Sequence, residues 1–119
     1  MPSLLCALLA ISFLVGCGAI SQPHTPTVAI SPRPTIVTVG DVVHFSAMTQ
    51  HDQRGVNWTL TKHFKGLGGG GLANQTAFTV DYEAGGYNPV IVSTASVTIT
   101  ATLKSNSSIA DSVTFNLAY

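Results

Sequence analysis

Charged side chains are scarce in this sequence, and their signs cancel. Five Lys or Arg and five Asp or Glu make up 8% of 119 residues, against about 25% in an ordinary soluble domain. Without a basic surface the chain has nothing to hold a phosphate backbone, so we expect no nucleic-acid partner. The chain also lacks the low hydrophobicity of disordered proteins, because 45% of its residues are hydrophobic. Its length is that of one domain.

The first 32 residues contain no charged side chain. Within them the stretch from Leu4 to Val15 is almost wholly apolar, but its 12 residues are too few to cross a bilayer, which takes about 20. An apolar run of this length is typical of the centre of a secretory signal peptide. Small residues should follow it at a cleavage site, and they are found in Leu14-Val15-Gly16-Cys17.

This tetrapeptide resembles the lipobox of bacterial lipoproteins. The resemblance implies that the leader is cut before Cys17 and that the Cys17 thiol receives a diacylglycerol. The expected partner is therefore a membrane, reached through the lipid on Cys17. Two or three acyl chains anchor a protein stably, whereas a single chain binds only marginally. Two alternatives stay open. One is a signal peptide cleaved near Cys17 without lipidation, and the other is a chain that is not secreted and buries an amino-terminal helix.

Cysteine is nearly absent, since Cys6 and Cys17 are the only two. If Cys6 leaves with the leader and Cys17 is acylated, the mature chain has no thiol for a disulfide, a nucleophile or a metal site. The alternative, a Cys6–Cys17 disulfide, requires the leader to persist. Gly18 stands where many lipoproteins retained at the inner membrane have Asp, so the resemblance favours the outer membrane of the cell envelope. The expected organisation is a signal peptide at 1–16, a lipidated cysteine and tether at 17–26, and one folded domain at 27–119.

Beyond residue 27 the sequence lacks any helical stripe and instead alternates apolar with polar residues. Such alternation is typical of half-buried strands, and Gly, Pro, Asn and Asp clusters separate the runs. Seven runs are found, at 28–30, 37–39, 43–47, 56–60, 78–80, 97–103 and 113–117. They predict an all-β domain, a β-sandwich of about seven antiparallel strands. We expect much of its core to come from Phe45, Trp58, Ile99 and Phe115.

The order and spacing of several short segments resemble bacterial immunoglobulin-like domains across residues 27–119. The segments are Val28-Ala29-Ile30-Ser31-Pro32, Val37-Thr38-Val39-Gly40-Asp41, Phe45-Ser46-Ala47, Val56-Asn57-Trp58-Thr59, Ala95 to Leu103 and Asp111 to Leu117. The resemblance implies an immunoglobulin-like β-sandwich without a disulfide, used for binding, adhesion or spacing. It implies no catalytic residues and no cofactor.

Three other sets of residues could form sites, and each has a simpler explanation. The glycine-rich run at 66–71 lacks the Lys-Ser/Thr ending of a phosphate-binding loop, so we expect an ordinary flexible loop. Asp81 and Glu83 share one strand face but have no evident catalytic partner. Four histidines could suggest a metal site, yet their predicted positions are separate, and we expect solvated surface residues and no metal. These histidines are His24, His44, His51 and His63.

The sequence therefore predicts a lipid-anchored envelope protein carrying a non-catalytic immunoglobulin-like module, with an envelope protein or a glycan as its unidentified partner. A structural accessory subunit of an envelope or secretion assembly is the alternative, in which the sandwich lends an edge strand to a partner. An exposed apolar patch or an open edge strand would favour this alternative. A small metal-dependent periplasmic enzyme is the third and weakest hypothesis, and it requires His51, His63 and acidic side chains to converge.

Overall fold

The structure is a computed structural model that describes residues 25–119, so the expected signal peptide, Cys17 and most of the tether lie outside the described residues. Residues 25–119 form eight β-strands and no helix. The strands are β1 (Thr27–Ser31), β2 (Ile36–Thr38), β3 (Val42–Gln50), β4 (Val56–Lys62), β5 (Gly71–Ala73), β6 (Thr79–Glu83), β7 (Ser96–Leu103) and β8 (Ala110–Ala118). It follows that this part of the chain holds no helix with the length and apolar character needed to cross a membrane.

Alternation along each strand sends one set of side chains inward and the other outward. In β7 every second residue is at most 1% exposed: Val97, Ile99, Ala101 and Leu103. The intervening positions are hydroxyl-bearing residues that face outward, because successive side chains in a strand point to opposite faces. The inward sets of the strands meet in one continuous core.

The strands form two sheets of four, in the orders β1-β3-β6-β5 and β2-β8-β7-β4. The predicted all-β sandwich is thus confirmed, with two differences in detail. An eighth strand, β5, begins at Gly71 and pairs with β6. The pair β2–β8 is parallel, with Ile36 opposite Asn116. It is parallel because the chain leaves β1 in the first sheet and joins the outer edge of the second sheet without reversing.

Aromatic rings join the two sheets at the centre of the core. Phe115 of β8 stacks on Phe45 of β3 with ring centroids 6.2 Å apart, and it meets Tyr82 of β6 at 5.1 Å. Phe45 and Phe115 are each 1% exposed, Ile99 is fully buried and Trp58 is 5% exposed, so the structure places all four expected core residues inside. The sequence analysis did not single out Tyr82, which is the largest fully buried side chain.

A polar contact closes the side of the sandwich where β1 approaches β8. The Asp111 carboxylate accepts a hydrogen bond from the Ile30 backbone N–H at 2.8 Å and another from the Arg33 guanidinium at 2.7 Å. Desolvation raises the pKa of Asp111, but the hydrogen bonds from Ile30 and Arg33 outweigh it and lower the pKa below its usual value. The carboxylate therefore links the two sheets and occupies a backbone donor at the edge of β1.

Tyr82 also carries a hydroxyl into the core, where it donates a hydrogen bond to the Gly69 carbonyl. Burial raises the pKa of Tyr82 from 10.0 to about 12. The unfolded chain releases this proton near pH 10, whereas the folded chain holds it to higher pH. The stabilising effect is thus complete below pH 10 and is lost as the pH rises toward 12.

We expect the free energy of unfolding of the wild-type protein to fall between pH 10 and 12 by up to about 3 kcal/mol from this group. Tyr82→Phe removes the ionisable proton, so its alkaline decline should be correspondingly shallower, although it is less stable at neutral pH because the Gly69 carbonyl loses its donor. Urea unfolding at several pH values measures both effects. Parallel alkaline curves for the two proteins would contradict the assignment.

Candidate functional site

Three segments distant in sequence meet at one end of the sandwich. They are the loop after β4, the loop after β6 and the residue that follows β8. The last residues of these strands, Lys62, Glu83 and Ala118, all lie at this end of the sandwich. A groove of about 530 Å³ opens between them. Its lining consists of Lys65, Gly66, Leu67, Gly68, Gly86, Tyr87, Asn88, Ile91 and Tyr119. The volume is in the range of small-ligand sites, about 300–1,000 Å³.

Hydrogen bonds hold the glycine-rich loop in place on one side of the groove. The Gly69 N–H donates to the Gly86 carbonyl at 3.0 Å, and the Lys62 ammonium donates to the Gly68 carbonyl at 2.8 Å. The buried Tyr82 hydroxyl donates to the Gly69 carbonyl. The sequence predicted an ordinary flexible loop here, and in the structure hydrogen bonds tie this loop to the core, to β4 and to the loop after β6.

Two tyrosine rings form the aromatic part of the groove. The ring centroids of Tyr87 and Tyr119 lie 5.1 Å apart with an angle of 42° between the planes. The Tyr119 hydroxyl donates to the Tyr87 carbonyl and accepts from the Tyr87 N–H at 2.9 Å. Tyr119 is nonetheless 69% exposed. Its hydroxyl is therefore held by hydrogen bonds while the residue as a whole stays largely exposed.

Leu67 and Ile91 add aliphatic side chains to the lining, and Val90 precedes Ile91 in the same turn. Leu67 is 93% exposed, Val90 is 91% exposed and Ile91 is 71% exposed. The turn that carries Val90 and Ile91 is held by Asn88, whose side-chain oxygen accepts from the Val90 N–H at 3.0 Å. Exposed large apolar side chains gathered at one place mark an interaction surface more often than isolated ones do.

Polar groups in the groove are few and mostly donors. Lys65 carries the charged side chain of the lining, which includes no Asp, Glu or His side chain. The Asn88 side-chain NH₂ has no hydrogen-bond partner within residues 25–119, since only its oxygen is engaged. The arrangement therefore offers an apolar and aromatic surface with a small number of donors, which is the chemistry of a binding site.

Within residues 25–119, the histidines and acidic residues singled out in the sequence lie outside the lining of the groove. His44 bonds to Asp81 at 2.5 Å on the outer face of the first sheet. A hydrogen bond from Asn74, followed by that from His44, holds the pKa of Asp81 below its usual range. His63 follows β4 and bonds to Thr98 of β7 at 2.7 Å, so it lies at the second sheet whereas His44 lies on the first.

His51 and Glu83 are also absent from the lining of the groove. His51 lies in the turn after β3 with a φ of 58°, Glu83 lies on the outer face of β6 beyond Asp81, and His24 lies outside the described residues. Within residues 25–119, His, Cys, Asp and Glu form no group of three or more that could hold a metal ion. The convergence of His51 and His63 that the enzyme hypothesis requires is not found in this part of the chain.

Sequence reasoning did not find the groove, because its residues were assigned to turns and to the last strand. One signal was present: Val90 and Ile91 are adjacent apolar residues that follow a turn and do not fit the alternation of a strand. Comparison of the chain with protein-family models, with curated proteins and with solved structures found no match. The candidate site therefore depends on its geometry and chemistry alone.

The close approach of the two loops gives a testable prediction at Gly68. Gly66 and Gly68 have nearly equal positive φ values, 98° and 99°, so an added Cβ strains both backbones alike. At Gly68 that Cβ would lie 1.9 Å from the Gly86 carbonyl oxygen, whereas at Gly66 it meets nothing within 4 Å. We expect Gly66→Ala to cost about 1–2 kcal/mol and Gly68→Ala to cost clearly more.

Urea unfolding measures both stabilities, and the ring resonances of Tyr87 and Tyr119 report the groove. Gly68→Ala should shift these resonances, while Gly66→Ala should leave them near the wild-type positions. Equal stabilities and equal spectra for the two variants would show that the loops are not in close contact.

Proposed function

We propose that this protein is a lipid-anchored component of the bacterial cell envelope whose immunoglobulin-like domain binds an extracytoplasmic ligand through the groove, without catalysis. The observation that carries the proposal is the position of the groove, at the end of the sandwich opposite the start of the domain. An anchor on Cys17 would enter at one end, and the groove would then be presented at the other.

The strand register supports this placement. Thr27, the first residue of β1, pairs with Gln50 at the last position of β3. The first residue of β3, Val42, pairs with Glu83, just before the groove residues Gly86 and Tyr87. Nine residues of β3 extend about 27 Å at 3.3–3.4 Å per residue. The groove and the start of the domain are therefore separated by about the length of the sandwich.

The order of the strands supports an immunoglobulin-like topology. Constant-type immunoglobulin domains have strands A, B, E and D in one sheet and C, F and G in the other. Taking β1 as A and β3 as B, the first sheet here has the order A-B-E-D, and the second has G-F-C with the short β2 added beside G. Trp58 lies on the strand that corresponds to C, where immunoglobulin domains bury a tryptophan.

One observation favours the alternative, a structural subunit of an envelope assembly. The exposed aliphatic residues Leu67, Val90 and Ile91 form a patch that a protein partner could cover. Donation of an edge strand is less favoured at β1 and β4, because one outward backbone N–H of each strand is already engaged. Ile30 of β1 donates to Asp111, and on β4 the Val56 N–H donates to the Ala77 carbonyl at 2.8 Å.

The anchor is tested by metabolic labelling with a fatty acid. We expect the full-length protein to incorporate the label and to fractionate with membranes, and we expect Cys17→Ala to lose both, because the thiol is the acceptor of the lipid. Ser21→Ala, a substitution in the expected tether, is the matched control and should be labelled normally. Absence of label in the wild-type protein would refute the anchor.

The choice between the ligand-binding module and the assembly subunit is tested by crosslinking in intact cells. A photo-crosslinking amino acid is placed at Leu67 beside the groove or, as a control, at Met48, which is 71% exposed on the outer face of β3. A binding module whose ligand is a glycan or another small molecule predicts no dominant protein adduct at either position. A single stoichiometric protein adduct at Leu67 but not at Met48 would instead establish an assembly subunit.

A further inference from the structure

The geometry of the groove points to a saccharide as its ligand: we propose that a sugar ring stacks on the exposed face of Tyr119 while its hydroxyl groups bond to Asn88 and Lys65. The inference rests on the proposed function, because it names the ligand of the same groove. A pyranose ring has an apolar face of C–H groups and an edge of hydroxyl groups. It therefore needs an aromatic surface flanked by a few hydrogen-bonding groups.

The aromatic surface is already ordered before a ligand arrives. The Tyr119 hydroxyl bonds to both the carbonyl and the N–H of Tyr87, and the two rings are in contact. Gly86 makes this arrangement possible, because a Cβ at that position would lie 2.9 Å from the Tyr119 hydroxyl. A side chain held in this way loses little conformational entropy on binding, so more of the stacking energy is retained as affinity.

The ring remains available for stacking because only its hydroxyl end and its contact with Tyr87 are engaged. Tyr119 is 69% exposed although it makes two hydrogen bonds. Tyrosine combines a large apolar face with few rotatable bonds, and it is favoured where one ligand must be both covered and oriented. Leu67 and Ile91 stand beside the ring and can shield the edges of a bound sugar from water.

Hydrogen-bonding groups are present where the hydroxyl groups of a sugar require them. The Asn88 NH₂ is not bonded within residues 25–119, and the Lys65 ammonium supplies further donors. Insertion of a purely apolar protein side chain would remove these groups from water without replacing their hydrogen bonds, which is costly. A saccharide satisfies them and covers the ring in the same binding event.

Charge restricts the class of saccharide further. The side chains of the lining include one lysine and no Asp or Glu, so they favour a neutral or an acidic sugar over a cationic one. A volume of about 530 Å³ belongs to small-ligand sites. The ligand is therefore a short segment of a neutral, N-acetylated or uronic glycan.

The test is a titration of the full-length protein in detergent micelles with three trisaccharides, one of glucose, one of N-acetylglucosamine and one of galacturonic acid. We expect at least one of them to shift the NMR resonances of Tyr87, Asn88 and Tyr119. Tyr119→Ala should weaken its binding tenfold or more, because the stacking surface is removed. Tyr119→Phe keeps the ring but loses both hydrogen bonds, and it should weaken binding by a smaller factor.

Met48→Ala is the matched control, since Met48 is as exposed as Tyr119 but lies on another face, and it should bind like the wild type. Urea unfolding confirms that each variant is folded. No shift with any of the three trisaccharides, or wild-type affinity in Tyr119→Ala, would overturn the saccharide inference. The fatty-acid label on Cys17 is read separately, so that failure of the ligand class and failure of the anchor remain distinguishable.

Discussion

The contact of Phe115 with Phe45 and Tyr82 is the interaction on which the rest of the domain depends. It is the place where rings from both sheets meet, at centroid distances of 6.2 Å and 5.1 Å, and it occupies the centre of a core that has no disulfide within the described residues. Tyr82 extends this contact to the surface, because its hydroxyl bonds to the Gly69 carbonyl. Tyr82 therefore contributes both to the packing of the core and to the position of the glycine-rich loop.

The outward face of the second sheet shows how a domain with few charged residues presents a polar surface to water. On the second sheet the outward positions of β4, β7 and β8 carry Thr, Ser, Asn and Ala and no ionisable residue. Their hydroxyl groups pair across strands, as between Thr98 and Thr114 at 2.7 Å and between Thr100 and Ser112 at 2.8 Å. Hydroxyl groups thus keep this face polar. Several of the few charged residues instead make hydrogen bonds within the domain, as Asp111 does between the sheets and Lys62 does to the glycine-rich loop.

The sequence predicted the strands well because burial on one face imposes a period of two. It missed β5 because Gly71–Ala73 is only three residues long, too short for a period to show, and it missed the parallel β2–β8 pair because alternation carries no information about direction. Tyr82 was overlooked because Asp81 and Glu83 flank it, although Val80 and Tyr82 have the correct spacing. The groove was out of reach, since Leu67, Tyr87 and Tyr119 come together only through the topology.

The glycines of the two loops that border the groove determine which side chains are exposed there. Backbone-to-backbone contact of the two loops, with the Gly69 N–H on the Gly86 carbonyl at 3.0 Å, leaves no room for side chains between them. Leu67 of the glycine-rich loop is 93% exposed, whereas the aromatic residues Phe64 and Tyr87 of the two loops pack partly against the core. The two loops, held together by the hydrogen bond between Gly69 and Gly86, thus leave the apolar side chains of Leu67 and Ile91 exposed. An exposed apolar surface of this kind lowers solubility unless a ligand or a partner covers it.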